Sequence, residues 1–506
     1  MKFSLKDLRE LSKFVRSPYF NQREYVVVLF DFMREVRVND AVSAGGSSSR
    51  LRSKTGGANA KTGAAERSSS GVEKTNKSTE STNHNNQHLK QTAFAEMFPQ
   101  LVRPGGKGYN DHLMRNAMSL LMQIFEKYLA IRDFMEDEVG VQLQRGQSYR
   151  RMNLEKHYLQ TIRKVEQAQE GSDYRNADYY QNEYQLEAER YQWLSNQNRM
   201  AELNLQEISD NLDLSYITQK LRQTCFSLSH QAVYPKDYDF GLLDKMLELL
   251  ESGRYLETPA VAVYYYCYHA LTQPEEEAHF RKFKTLLIEH ASLFPVREKR
   301  DLYLLATNYC IKKMNEGERQ FAREGLDIYK EALSQNALFA DGRLSRFTFF
   351  NIITKALVCE EFDWTEQFIN QYQEHLELKH REASASYSMA RLEYERGNQT
   401  AALQLLQKAD YEDLLQNLQA KALMAKIFFE SQDIEVLLSH LDAMEQFIRR
   451  RKVIGYHQEL FRNFIFFLRK RIETPDFETD ELLLLKSGIR EAKAVAERRW
   501  LMDICD

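Results

Sequence analysis

Proline and glycine are scarce in this sequence, with 8 and 20 residues respectively in a chain of 506. An all-β or α/β protein of this length needs more turn residues between its strands and helices. Apolar residues make up 43% of the chain, which is enough to form hydrophobic cores, and the aromatic content of 12% excludes general disorder. We therefore predict an all-α protein.

Cysteine is also rare, and no apolar run is long. The five cysteines lie far apart and form no CxxC pair, which indicates free thiols in a reducing compartment. The first ten residues, MKFSLKDLRE, are charged and contain no apolar core of a signal peptide. The longest apolar run, residues 261–271, is too short to span a bilayer. These absences predict a cytoplasmic protein without membrane insertion.

Large apolar residues are almost missing between residues 39 and 91, where Ser, Gly, Thr, Asn and Lys dominate. Such a segment cannot bury enough surface to offset the entropy lost on ordering, so we predict a disordered insertion over 39–91. Apolar residues recur at helical spacing on both sides of it. Residues 1–38 and 92–136 therefore form one small N-terminal helical module that the insertion interrupts.

Positive charge is concentrated in this N-terminal part. Residues 1–135 contain 21 Lys and Arg against 13 Asp and Glu, whereas the remaining chain contains 48 against 60. The asymmetry fits an anionic partner such as nucleic acid, and it also fits docking of the module on the acidic remainder of its own chain. We favour the second interpretation.

From residue 141 to residue 506 the pattern is helix after helix, with short breaks at Gly, Asn or Pro. This texture is typical of an α-solenoid, in which each helix pair buries its apolar face against its neighbours. The clearest repeats lie between 300 and 450, at a spacing of about 35–40 residues that is close to the tetratricopeptide period. We predict a degenerate, tetratricopeptide-like helical-repeat solenoid.

The best single helix pair covers residues 383–410. It carries small, turn-forming and apolar residues where a tetratricopeptide repeat has them, at Ala390, Gly397, Ala402, Leu406 and Ala409. The next pair follows the same frame 35 residues later, but Gln432 replaces the turn glycine. In such repeats the first helices line the inner groove. The frame therefore places five candidate partner-binding residues in that groove: Tyr387, Arg391, Tyr394, Lys426 and Phe429.

Motifs of catalysis are missing. The sequence contains no HExxH, GxSxG or GxGxxG pattern, and the loop RPGGKGYN lacks the spacing of a phosphate-binding loop. The twelve histidines are scattered. We therefore predict a noncatalytic protein with no catalytic residues, no cofactor and no metal site.

A second basic segment lies at residues 449–471, with eight Lys or Arg and one Glu around an aromatic-rich helix. Basic surfaces with aromatic residues bind nucleic acid or acidic protein segments. Repeat bodies also need such aromatic residues inside, so we favour packing of Phe461, Phe464, Phe466 and Phe467 in the core.

The stretch FVRSPYFNQRE near the N-terminus has the features of a helix corner. Pro18 ends the first helix, and Asn21 with Glu24 forms a variant capping box at the start of the second. Capping does not account for Arg16 and Tyr19, which are candidate residues of an N-terminal binding surface.

The same stretch, followed by FAEMFP and YNDHLMRNAMSLLMQIFEKYL, resembles uncharacterised all-helical proteins of Bacteroidota-type bacteria over the first 135 residues. The resemblance implies a cytoplasmic bacterial protein and brings no function with it. Our leading hypothesis is a protein- or peptide-binding scaffold. The alternative is a nucleic-acid-associated or regulatory protein that uses the basic N-terminal module or segment 449–471. No oligomeric state, partner identity or pathway follows from the sequence.

Overall fold

A computed structural model describes residues 5–46, 87–103, 107–197, 203–232, 234, 236–409, 411–450 and 456–506. These residues are almost entirely helical, which confirms the all-α prediction. The chain forms two compact units, residues 1–168 and 169–506. The predicted body starts earlier, at 141, but the helix that begins at Glu138 contacts the long helix before it and belongs to the first unit.

The described part of the first unit contains seven helices: α1 (Leu5–Val15), α2 (Glu24–Gly46), α3 (87–97), α4 (Pro99–Val102), α5 (Asp111–Glu136), α6 (Glu138–Arg151) and α7 (Glu155–Glu170). Helices α1, α2 and α5 contact one another. Apolar residues at three- and four-residue steps, such as Leu11, Val15, Val26 and Phe125, meet between these helices and form the core.

The predicted insertion 39–91 lies largely outside the described residues. Its edges are wrong, because α2 continues to Gly46 and α3 already includes residues 87–91. A helix that has been nucleated by a packed segment extends without further burial, since each added residue gains one backbone hydrogen bond.

The second unit contains sixteen described helices and one short hairpin. In chain order these are α8 (Ala177–Gln197), α9 (Leu205–Gln231), α10 (Leu243–Glu251), α11 (Pro259–Thr272), α12 (Glu277–His290), α13 (Val296–Asn315), α14 (Gln320–Ser334), β1 (Phe339–Ala340), β2 (Arg343–Leu344), α15 (Arg346–Val358), α16 (Phe362–Tyr372), α17 (Leu378–Glu395), α18 (Gln399–Lys408), α19 (Leu414–Glu430), α20 (Ile434–Arg450), α21 (Tyr456–Glu473), α22 (Thr479–Glu491) and α23 (Arg498–Asp503). Short 3₁₀ turns cover Ala291–Leu293 and Gln373–His375.

The sequence analysis did not predict the hairpin. Asp341 and Gly342 have φ angles of 51° and 73°, and Ala340 pairs with Arg343 on either side of them. Two consecutive residues of positive φ form the tight turn that joins antiparallel strands, and Asp-Gly is a preferred sequence for it.

Four successive helix pairs share one turn. The first helix of each pair ends at a residue of positive φ: Gly317 (102°), Glu360 (58°), Gly397 (83°) and Gln432 (61°), separated by 43, 37 and 35 residues. The N–H of each donates to the carbonyl three residues before it, and the following N–H donates to the carbonyl five residues before its own position. These are the two hydrogen bonds of the Schellman motif, which favours glycine at the positive-φ position.

Glycine at position 432 is therefore expected to stabilise the second unit. Gln432→Gly removes the strain of a side chain in the left-handed region and should raise the free energy of unfolding by about 0.5–1 kcal/mol. Gly397→Ala makes the opposite change at the equivalent turn and should lower it by a similar amount. Urea unfolding followed by tryptophan fluorescence measures both. All three tryptophans lie in residues 169–506, so the signal reports this unit. If both variants changed the free energy of unfolding in the same direction, the expectation would be contradicted.

A buried carboxylate connects four segments of the chain by hydrogen bonds and an ion pair at the N-terminal end of this unit. The side chain of Glu298 on α13 is 3% exposed. It accepts hydrogen bonds from the Tyr264 hydroxyl at 2.8 Å and the Asn176 amide at 2.9 Å. The Arg222 guanidinium lies 3.6 Å away and supplies the counter-charge. Burial, and then the charge of Glu298, raise the pKa of Tyr264 well above its ordinary value, so the tyrosine stays a donor.

Candidate functional site

The five predicted groove residues lie on two neighbouring helices. Tyr387, Arg391 and Tyr394 follow one another on a single face of α17 at three- and four-residue spacing. Lys426 and Phe429 lie on α19, and α17 contacts α19 directly. The fold therefore brings these five side chains into one region, which we call the α17–α19 cluster.

Lys426 is at the centre of this cluster. The residue is 8% exposed. Its Nζ lies 4.8 Å from the centre of the Tyr394 ring and 5.6 Å from the centre of the Trp500 ring. The same atom donates to Glu497 Oε2 at 2.8 Å. A buried lysine ammonium is thus held between two aromatic faces and one carboxylate, an arrangement that compensates for its lost hydration.

Glu497 reaches this lysine from the segment that precedes α23. Its backbone has a φ of 51°, in the left-handed region that non-glycine residues rarely adopt. Burial acts to raise the pKa of Glu497, but the charge and hydrogen bond of Lys426, together with the charge of Arg391, lower it overall. The carboxylate is therefore ionised at neutral pH and faces two positive charges.

Glu430 holds the aromatic part of the cluster. Its Oε1 accepts hydrogen bonds from the Tyr394 hydroxyl and from Trp500 Nε1, the latter at 2.7 Å. Burial, followed by the hydrogen bond to Glu430, raises the pKa of Tyr394 far above its ordinary value. The Phe429 ring lies 5.6 Å from the Trp500 ring at an interplanar angle of 82°. These contacts orient the rings edge to face.

Arg391 and Tyr387 extend the cluster toward α15. Arg391 donates to the Thr354 hydroxyl at 2.9 Å, and its guanidinium carbon is 6.0 Å from the centre of the Tyr387 ring. Tyr387 is buried, and burial raises its pKa to about 12 although the Arg391 charge opposes the rise. Sequence reasoning missed Glu430, Glu497 and Trp500, which come from positions outside the predicted groove face.

Arg16 and Tyr19 belong to the first unit. Arg16 is paired within the unit, to Asp31 at 2.6 Å and to the Ser12 hydroxyl at 3.0 Å. Tyr19 is 86% exposed, and its ring contacts Phe20 edge on at 4.9 Å. Arg16 therefore stabilises the contact between α1 and α2, whereas Tyr19 is a surface aromatic residue.

The basic segment 449–471 is described only in part, because residues 451–455 lie outside the described residues. Arg449, Arg469 and Arg471 form ion pairs with Glu445, Asp442 and Asp476. The rings of Phe461, Phe464 and Phe467 are buried in the core, and Phe466 is half exposed. Carboxylates of the same chain thus pair with three of the eight basic residues in this segment.

The chemistry of the remaining described residues is that of a packed helical protein. All five cysteines are free, and Cys267 and Cys310 are buried. Within the described ranges, no group of three or more His, Cys, Asp or Glu side chains is placed to hold a metal ion. In the same part of the chain, no helix is both long and apolar enough to cross a membrane.

The resemblance of the N-terminal stretch to Bacteroidota-type proteins stays a prediction. Comparison with known protein families, with curated proteins and with solved structures finds no match for this chain.

Proposed function

We propose that this chain is a noncatalytic helical-repeat protein that binds a protein or peptide partner at the α17–α19 cluster. The observation that carries the proposal is the convergence of two cations and four aromatic rings from separate segments: Arg391, Lys426, Tyr387, Tyr394, Phe429 and Trp500. Aromatic and arginine residues are the types that contribute most to protein–protein binding energy.

A tetratricopeptide-like array from α13 to α20 is part of this proposal. Two observations support it: the shared Schellman turn, and the contacts of α15 with α17 and of α17 with α19, which place first helices side by side. In an array of this kind the first helices form the inner groove, and an extended peptide lies along it.

The partner segment carries a carboxylate. Glu497 places one carboxylate against Lys426 and near Arg391, and this contact supports a negatively charged group as the ligand of the two cations. Arg391 is only partly buried, so a second acidic group can reach its guanidinium fork. Phe429 and Tyr394 are also partly buried, and their accessible edges offer apolar contact next to the charge.

Photo-crosslinking in the producing cell tests the proposed function. A photoreactive phenylalanine analogue at position 429 should crosslink to a defined partner protein, since this ring lies in the proposed groove. The control places the same analogue at Tyr216 on α9, which is also exposed. A crosslinked partner at 429 that is absent at 216 supports the proposal; the same products at both positions, or none, would refute it.

Charge at Arg391 provides the second part of this test. Arg391→Met should reduce recovery of the crosslinked partner about tenfold, because one charged contact contributes on the order of 1.4 kcal/mol. Arg499→Met is the matched control, since Arg499 is exposed and its ion-pair partner among the described residues is Asp503 on its own helix. Equal recovery with both variants would contradict the role of Arg391.

Nucleic-acid binding stays the alternative hypothesis. Binding of the full chain to DNA or RNA that weakens steeply with salt would favour it, because counterion release governs such affinity. A protein partner whose affinity changes little with salt would favour the scaffold. The five free thiols support a reducing, cytoplasmic location in either case.

A further inference from the structure

A second feature of the 169–506 unit is a cavity of about 470 Å³ between the β1–β2 hairpin, the start of α15 and the start of α17. Its lining contains three basic side chains, one histidine, one aromatic ring and one carboxylate: Arg343, Arg346, Lys379, His380, Phe347 and Glu377. Two stretches of chain, residues 340–347 and 377–380, thus direct basic groups to one concave surface, which we call the hairpin cavity.

Two of the basic side chains in this lining are not directly paired. Among the described residues, the side chains of Arg343 and His380 have no hydrogen bond or ion pair. Lys379 lies 3.3 Å from Glu377, and Arg346 lies 2.9 Å from Asp413. Lys379, and then the charges of His380 and Arg343, lower the pKa of Glu377. Positive charge therefore exceeds negative charge in the cavity, and the field there favours an anion.

The backbone holds these groups in position. The Asp341–Gly342 turn reverses the chain so that Arg343 follows it directly, and the Gly342 carbonyl contacts His375 Nδ1 at 3.0 Å. The Phe339 ring stacks on Tyr372 at 6.0 Å, which anchors the other strand. The cavity wall is thus a braced hairpin.

The first turns of α15 and α17 add a smaller contribution. Their N-cap residues, Ser345 and Glu377, make no side-chain capping hydrogen bond. The His380 N–H already donates to the Glu377 carbonyl at 2.9 Å. First-turn N–H groups without such an acceptor remain donors for a bound anion.

An exposed aromatic ring lies at the edge of the same cavity. Phe347 is 62% exposed, and the Arg346 guanidinium carbon lies 5.0 Å from the centre of its ring. The cation fixes the ring beside the cluster of positive charge. A ligand that combines an anion with an apolar group would contact both.

We propose that the hairpin cavity binds a phosphate monoester. Arg343, Lys379 and His380 hold the phosphate oxygens, and Phe347 contacts the group that carries the phosphate. Arginine suits this ligand because its planar fork makes two parallel hydrogen bonds to phosphate oxygens. This site is separate from the α17–α19 cluster, and the proposal does not depend on peptide binding there.

Calorimetric titration of the full chain tests the site. Phenyl phosphate and inorganic phosphate should both bind, and the double variant Arg343→Met/Lys379→Met should weaken both at least about tenfold. Phe347→Ala should weaken phenyl phosphate and leave inorganic phosphate unchanged. Lys245→Met is the matched control, because Lys245 is exposed and paired to a neighbouring Glu248 as Lys379 is to Glu377. Circular dichroism verifies that each variant keeps its helices.

A tyrosine-phosphorylated peptide and its unphosphorylated form separate the two sources of phosphate. Tighter binding of the phosphopeptide than of phenyl phosphate assigns the ligand to a modified protein side chain. Equal binding of the two assigns it to a small phosphorylated molecule. Absence of saturable binding by every phosphate probe up to about 10 mM, or equal binding by the double variant and the wild type, would overturn the proposal.

Discussion

Glu298→Ala is expected to lower the free energy of unfolding of the 169–506 unit by about 3–5 kcal/mol. The substitution removes the acceptor of the Tyr264 hydroxyl and the Asn176 amide, and it leaves Arg222 without its carboxylate. Buried donors without acceptors incur their full desolvation penalty, and an unpaired charge adds more. The shift of the urea midpoint, followed by tryptophan fluorescence, measures the loss.

Two further variants make the Glu298 result specific. Glu298→Gln keeps the size and one acceptor oxygen, so its loss should be smaller than that of alanine. Glu289→Ala removes a carboxylate whose side chain is 63% exposed, and the free energy of unfolding should change by less than about 0.5 kcal/mol. A loss below about 1 kcal/mol for Glu298→Ala would show that the network does not stabilise the fold.

Lys355→Met is expected to stabilise the same unit at neutral pH by about 2–3 kcal/mol. Lys355 is 2% exposed, and within the described residues its side chain forms no ion pair or hydrogen bond. Its stem passes over Gly325, where an added Cβ would overlap Lys355 Cε, and its Nζ lies 5.5 Å from the centre of the Tyr329 ring. Burial lowers the pKa of Lys355 from 10.5 to about 8.

The pH dependence of the free energy of unfolding tests whether Lys355 is the residue with the lowered pKa. Between pH of about 8 and about 10.5 the unfolded chain holds a proton that folded Lys355 has released, so stability rises with pH in this window. Below about 8 both states are protonated and the full penalty remains. Lys355→Met should remove this contribution to the rise. Lys312→Met, at an exposed position of α13, should retain it. Identical pH profiles for the wild type and Lys355→Met would contradict the assignment.

The all-α fold and one helix-pair frame could be predicted from local signals. Scarce proline and glycine predicted helices, and Gly397 was placed at a turn because small residues recur around it at repeat spacing. These features depend on neighbours in the sequence. The Asp341–Gly342 turn carried an equally local signal, because this dipeptide favours hairpins. Its strands have only two residues each and lie between helices, so no strand periodicity could be recognised.

The contacts within the candidate sites could not be predicted in this way. Lys426 meets Glu497 across 71 residues of chain, and Glu298 meets Asn176 across 122. Each pair depends on how helices pack, and no periodicity encodes a partner at such separations. The position of Glu497 is harder still to predict. Its backbone is in the left-handed region, which glycine usually indicates in a sequence, and here the residue is not glycine.

The shared turn of the four helix pairs also bears on how such a chain changes length. Gly317, Glu360, Gly397 and Gln432 lie at equivalent turns inside their pairs, so a gene segment that begins in one turn and ends in the next encodes the second helix of one pair and the first helix of the next. Gain or loss of that segment disturbs mainly the two junctions at its ends, because the helices from α13 to α20 mostly contact helices one or two places away along the chain. Evolution can therefore lengthen or shorten the chain in whole pairs, while insertions inside a helix would shift its buried face.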